Sequence, residues 1–271
     1  MKVADDIRAR LDLARDIIGE AGRLALGHFA DRAHLGIDAK LNGQDVVSAA
    51  DRGVETLIRS SVAAAFPDDG FLGEEYGLQK GRSGWRWTVD PIDGTSCFVH
   101  GLPNWCISVA LSDADEQTRF GLILAPVSGE LYEAVADEGA RLNGQPLQVD
   151  GQASLETGLV GLGASHRVAA TEISAVLQAL LESGGMFVRS GSGALSIAEV
   201  AAGRLCAYYE PHINAWDCLA ALLIVREAGG FTAEFPGEGR SLLQGGPVLA
   251  TAPQIARPLN EMIIGVRQRA S

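Results

Sequence analysis

The chain has 271 residues, 47% of them apolar and 21% charged, with 33 glycines and 10 prolines. That composition excludes a disordered or fibrous polypeptide and suffices for a large buried core. The formal net charge of −12 is not offset by any basic run and argues against direct contact with nucleic acid. No apolar stretch approaches the length of a membrane span, and Met1 to Arg10 is charged throughout with no signal-peptide core. A cytoplasmic protein with no membrane attachment is expected. Cys97, Cys106, Cys206 and Cys218 are scattered without paired spacing and read as buried free thiols of a reducing compartment, and the dispersed histidines offer no zinc motif.

In chain order, Ile7, Leu11, Ala14, Ile18, Ala21 and Ala25 recur at spacings of four and three, which predicts a long helix over 3–30. Residues 31–43 read as a loop. Asp51 is placed to cap a second helix with Val54, Leu57, Ile58 and Val62 on one face, ended by Pro67-Asp68-Asp69-Gly70. A strand is predicted over 85–89, stopping at Asp90-Pro91. Strand-like runs follow at 105–111, 119–126 and 130–135, with a hairpin turn at Ser128-Gly129. Beyond them, strands at 157–162, 186–189 and 205–209 alternate with helices at 168–183, 193–203 and 215–228. The alternation predicts an α/β (α+β) protein with helices layered on sheets. With no internal repeat or low-complexity linker, a single domain over 1–271 is expected. A soft internal division near 150–155 separates a metal-binding α+β half (1–150) from an α/β half (151–271).

The segment Trp87-Thr88-Val89-Asp90-Pro91-Ile92-Asp93-Gly94-Thr95 carries the most chemistry. Two aspartates three apart end an apolar strand, the proline cannot continue a sheet ladder, and the glycine admits close approach of a ligand. Carboxylates there suit a hard, oxygen-loving cation, and backbone N–H groups at Gly94 and Thr95 suit an anion. Taken alone, the pattern also fits an Asx-type turn with solvated aspartates. Gly73-Glu74-Glu75 fits surface decoration as well as a ligand site. Asp217, opening an apolar helix, fits plain compensation of the helix dipole.

The combination narrows these readings. Asp45-Val46-Val47-Ser48-Ala49-Ala50-Asp51, Gly73-Glu74-Glu75, Asp90-Pro91-Ile92-Asp93-Gly94-Thr95, Gly191-Ser192-Gly193-Ala194, and Trp216-Asp217 through Glu227-Ala228-Gly229-Gly230 occur in one order. With them the chain resembles, over nearly its whole length, the inositol monophosphatase family of metal-dependent phosphatases. The resemblance implies a layered αβαβα sandwich of the inositol monophosphatase and fructose-1,6-bisphosphatase type, and a homodimer. It implies magnesium as cofactor, two or three ions per site, with manganese as substitute. The implied activity is hydrolysis of a small phosphate monoester, an inositol monophosphate or similar polyol or sugar phosphate, by metal-activated water. Carried over by residue, one metal falls to Glu74, Asp90 and the Ile92 carbonyl, and a second lies between Asp90, Asp93 and Asp217. Glu74 and Thr95, the latter linked to Asp51, orient the attacking water. Gly94 and Thr95 bind phosphate through their N–H groups. Asp93, Gly193, Glu210 and Asp217 adjoin the substrate. Lys40 matches a basic position near an outer metal, and Ser192, His212 and Trp105 are further pocket candidates.

Three positions depart from the family pattern: Cys97 where many relatives carry Asn, Leu219 where a small residue is usual, and a Gly191-Ser192 turn one residue closer to Arg189. None removes a metal ligand; all three bear on the substrate side. Ser96-Cys97-Phe98 after Asp-Gly-Thr argues against a 3′-phosphoadenosine substrate. Two alternatives remain at this point: a histidinol-phosphate phosphatase on the same framework, whose substrate amine and imidazole suit acidic residues, and a non-catalytic partner of RNA-processing or transcription machinery.

Overall fold

Helix α1 (Lys2–Ala30) turns Leu11, Ala14, Ile18, Ala21 and Ala25 fully inward, as the periodicity requires. The computed structural model describes residues 2–31, 35, 37–39, 46–164, 167–237 and 240–270. Within the interval read as a loop lies a short strand, β1 (Ile37–Ala39), paired antiparallel with β2 (Val46–Ser48). Helix α2 (Ala49–Ala65) corrects the predicted cap: Ser48 is the N-cap and Asp51 is the third helical residue. Ser48 Oγ accepts from Ala50 N at 3.1 Å while Asp51 Oδ2 accepts from Ser48 N at 2.8 Å, a reciprocal capping box. Val54, Ile58 and Val62 face the core, but so do two carboxylates, Asp51 and Glu55.

Strands β3 (Gly70–Gly73), β4 (Gly77–Gln79) and β5 (Arg86–Asp93) follow, then the short helix α3 (Thr95–Val99). Next come β6 (Cys106–Ser112), β7 (Thr118–Ala125), β8 (Glu130–Val135), β9 (Gly139–Leu142) and β10 (Gln145–Pro146). They form an eight-stranded sheet in the order β10-β9-β8-β7-β6-β5-β3-β4. Strand β5 does not stop at Asp90-Pro91 as expected; it runs on to Asp93. Two features make room for the proline: pairing with β3 ends at Gly73↔Val89, and the register with β6 shifts between Asp90 and Asp93.

The second sheet comprises β11 (Leu159–Leu162), β12 (Met186–Val188), β13 (Ala207–Ile213), β14 (Phe231–Thr232) and β15 (Gly246–Thr251), in the order β12-β11-β13-β15-β14. Its helices are α4 (Ala170–Glu182), α5 (Gly193–Ala201), α6 (Ala215–Glu227) and α7 (Pro253–Ala270). Helices α1 and α2 cover one face of the large sheet, α5 and α6 lie between the two sheets, and α4 and α7 cover the far face of the small one. The result is the expected αβαβα layering. Helix α6 packs on both sheets, which is why Ala220 to Val225 are buried all round with no polar face.

A buried ion pair ties the first layer together. Arg10 Nε and Nη2 each lie 2.8 Å from an oxygen of Asp69, which also accepts from Trp87 Nε1 at 2.9 Å and Ser83 Oγ at 2.7 Å. All four cysteines are free and buried. Among the described residues no helix is long and apolar enough to cross a membrane.

Candidate active site

Three carboxylates converge from two elements. Asp90 and Asp93 come from the irregular end of β5, and Asp217 from the first turn of α6 where that helix meets the large sheet. Ligand oxygens of the three lie within 4.8 Å of one another. Each is held by its surroundings. Asp90 Oδ1 accepts from Ile92 N at 2.9 Å. Asp93 Oδ2 accepts from Ser192 Oγ and from Ala194 N, both at 2.6 Å. Asp217 Oδ2 accepts from Asn214 N at 3.0 Å and Asn214 Nδ2 at 3.2 Å, a second capping box.

Such crowding resists ionisation. Burial, and then the negative charges of Glu74, Asp93 and Asp217, hold the Asp90 carboxyl well above the usual carboxylate range. Burial likewise raises Asp217, with Asp93 and Glu74 adding to it. Asp93 rises only to about 6, because the bonds from Ser192 and Ala194 favour its charged form. Glu74 sits in the turn between β3 and β4, and its backbone N–H donates to Val89 O at 3.3 Å. Its negative charge acts on all three clustered aspartates.

Thr95 opens α3, its hydroxyl 3.1 Å from Asp51 Oδ1 and 3.0 Å from the Ile92 carbonyl. Burial raises the Asp51 carboxyl, opposed by its bonds from Ser48. Gly94 precedes Thr95 at φ 96°, and a Cβ there would stand 2.8 Å from the Asn104 carbonyl, so only glycine fits.

Beside the cluster opens a cavity of about 160 Å³, lined by Asp93, Asp217, Gly193, Glu210, His212 and Arg189 among others. Glu210 accepts from Tyr208 OH at 2.7 Å, and burial lifts its carboxyl to about 7. His212 Nε2 lies 3.1 Å from the Gln244 carbonyl, and burial pulls the ring below its ordinary value. Of the predicted pocket residues, Trp105 is misassigned: it is fully buried against Phe98, with ring centroids 4.9 Å apart, and belongs to the core. Lys40 lies outside the described residues. Cys97 packs under the Gly191 turn, its thiol 3.4 Å from the Ser190 carbonyl.

Sequence reasoning missed the partners that orient these groups: Ser48 on Asp51, Asn214 on Asp217, and Tyr208 on Glu210. The first two had a legible signal, since Ser48-x-x-Asp51 and Asn214-x-x-Asp217 are capping-box patterns. Tyr208 had a weaker one: two residues apart on one strand, it and Glu210 point to the same face.

The model of the inositol monophosphatase family matches residues 6–270. An inositol-1-monophosphatase of Rhizobium meliloti is 36% identical over 94% of this chain and 96% of its own. A histidinol-phosphatase of Chlorobaculum parvum is 33% identical over 92% of this chain and 94% of its own. The crystal structure of the extragenic suppressor protein suhB of Bartonella henselae superposes with a TM-score of 0.88 at 31% identity, covering 94% of this chain and 98% of the other.

Proposed function

The chain belongs to the inositol monophosphatase family, and from that membership we propose that it hydrolyses a small phosphate monoester, of the inositol or related polyol class, with magnesium as cofactor. The observation that carries the reading is the convergence of Asp90, Asp93 and Asp217 within 4.8 Å beside a polar cavity. The donor chemistry fits a hard divalent cation: three carboxylates whose burial, with repulsion from neighbouring carboxylates, raises their pKa values are relieved by positive charge. Asp90, Asp93 and Asp217 would hold one ion, and Asp90 with Glu74 and the Ile92 carbonyl another. When bound, magnesium supplies charge to the phosphoryl oxygens and acidifies the attacking water.

The chain's own groups do the rest. Asp51 fixes the Thr95 hydroxyl, so Thr95 and Glu74 share the task of orienting the attacking water. The N–H groups of Gly94 and Thr95 receive phosphoryl oxygens. Glu210 and Asp93 accept hydrogen bonds from the hydroxyl-bearing leaving group, and Gly193 leaves it room. No covalent nucleophile is needed, because positioning and electrostatic stabilisation carry the reaction.

A second reading follows from Glu210. A buried carboxylate in the wall of the cavity also suits a cationic leaving group, as in histidinol phosphate. A phosphate-release screen decides between them. Inositol monophosphates, sugar phosphates and histidinol phosphate are offered with magnesium and again after chelation. Turnover of polyol phosphates that chelation abolishes and magnesium restores is the expected result. Turnover that survives exhaustive chelation would remove the metal from the reading, and preference for histidinol phosphate would select the second substrate class.

A further inference from the structure

Helix α2 carries a second buried carboxylate four residues after Asp51, and none of the roles above uses it. Glu55 is fully buried, in a layer otherwise built from Val54, Ile58, Val62 and Phe71. A buried carboxylate is expensive, so its partners show what it accomplishes. Its Oε2 accepts from the backbone N–H of Glu75 at 2.7 Å, and its Oε1 accepts from Tyr76 N at 3.3 Å. Arg59, one helical turn on, donates from Nη2 to Glu55 Oε1 at 2.8 Å and to the Gly77 carbonyl at 3.0 Å. Its guanidinium lies 4.3 Å from the centre of the Phe71 ring.

Every backbone partner of this pair lies within three residues of Glu74, in the turn itself or at the first residue of β4. On its N-terminal side that turn presses against the same carboxylate: a Cβ on Gly73 would stand 2.0 Å from Glu55 Oε1. The strand therefore passes Glu55 at a distance that only glycine permits. On the other side of Glu74, the N–H groups of Glu75 and Tyr76 are taken. Apolar side chains would fill the space under the turn equally well; they would not fix where its backbone sits.

We propose that Glu55, braced by Arg59, is a positioning residue for Glu74, and that α2 sets the placement of Glu74 relative to Thr95. Asp51 holds the Thr95 hydroxyl at 3.1 Å, and Glu55, at i+4 on the same helix, holds the Glu74 turn. One rigid element thus indexes two groups that follow separate strands, Glu74 after β3 and Thr95 after β5. The inference rests on the reading of Glu74 as a metal-binding, water-orienting residue.

The test is Glu55→Gln in the full-length protein, with Glu74→Gln and the double variant alongside. Outer partners of metal-site residues typically contribute ~10–100-fold in affinity or activity. Glu55→Gln is expected to raise the magnesium half-saturation and lower kcat by at least ~10-fold, with substrate KM little changed. Manganese affinity by electron paramagnetic resonance, without substrate, should weaken in parallel. Because Glu55 acts through Glu74, the double variant should be little worse than Glu74→Gln alone. Should Glu55→Gln fail to fold, Arg59→Lys keeps the charge but loses the reach to Gly77, and should shift metal affinity the same way. A folded Glu55→Gln with unchanged metal affinity and turnover overturns the proposal, as do fully additive effects. If Glu74→Gln is itself silent, the role of Glu74 fails and the proposal fails with it. Loss in Glu74→Gln without loss in Glu55→Gln overturns the positioning role alone.

Discussion

Ser192 Oγ donates to Asp93 Oδ2 at 2.6 Å, across a sequence separation of 99 residues, while the same oxygen accepts from Leu195 N at 3.1 Å as the N-cap of α5. One hydroxyl thereby starts a helix of the middle layer and orients a carboxylate at the end of β5. Ser192→Ala removes both functions. We expect a stability loss of about 1 kcal/mol from the cap and a magnesium requirement raised ~10-fold from the loosened Asp93. Urea melts and magnesium titrations of turnover measure the two separately. A stability loss with an unchanged magnesium requirement would leave Ser192 as a cap only.

Glu210 makes stability depend on pH in a predictable direction. Burial raises its carboxyl from an ordinary 4.5 to about 7, so the folded protein keeps a proton that the unfolded chain releases. The resulting stabilisation is complete below pH ~4.5 and is lost as pH rises through ~7. Glu210→Gln cannot ionise and keeps an acceptor for Tyr208. In chelator, its stability relative to wild type should therefore improve between pH 5 and pH 8, by at most on the order of 3 kcal/mol. Parallel melting curves across that range test this, and a constant gap would show that Glu210 does not titrate there.

Asp69 separates stability from chemistry. Its buried carboxylate receives Arg10, Trp87 and Ser83, none of which belongs to the aspartate cluster. Asp69→Ala leaves a buried guanidinium unpaired, which typically costs ~3–5 kcal/mol. The midpoint of denaturation should fall accordingly while the magnesium requirement of the folded fraction stays unchanged. A shifted requirement would mean that the first layer and the site are coupled.

The residues that make the cluster were legible because each sits in a short motif with its own local logic: Asp90 and Asp93 around a proline at a strand end, Asp217 in a helix first turn. Without the family resemblance their meeting was not legible, since it depends on α6 crossing between two sheets. Nor was Glu55, which reads on a helical wheel as one more charge beside Val54 and Ile58. Helix α7 was missed although Ile255, Leu259, Ile263 and Val266 recur at helical spacing and are buried. Pro253 and Pro258 interrupt that spacing with a residue type that usually breaks helices. Pro253 in fact opens the helix, where its missing N–H is unneeded. Strands β4, β9, β10 and β14 are two to four residues long, too short to show any alternation. Asp51 reads as a cap because aspartate is a favoured cap residue just ahead of the apolar face, but Ser48, three residues earlier, takes that place.

Glu74 is where the proposed chemistry is most exposed to test. Its backbone is fixed to β5 beside Asp90, and its charge bears on all three clustered aspartates. If it both holds a metal and orients the attacking water with Thr95, removing its charge harms the chemical step as well as metal affinity. Glu74→Gln preserves size and the backbone bond to Val89. Turnover should fall by at least ~100-fold, the lower range for loss of general acid–base help, even at saturating magnesium. Glu75→Gln is the comparison, since it keeps the N–H that Glu55 accepts and removes a charge that bears on Asp51. It should cost far less. Steady-state kinetics across a magnesium series, on proteins with matched melting temperatures, gives the answer. Full rescue of Glu74→Gln by excess magnesium would reduce Glu74 to a metal ligand. Equal damage from Glu75→Gln would show that the turn responds to charge as a whole, with no special role for Glu74.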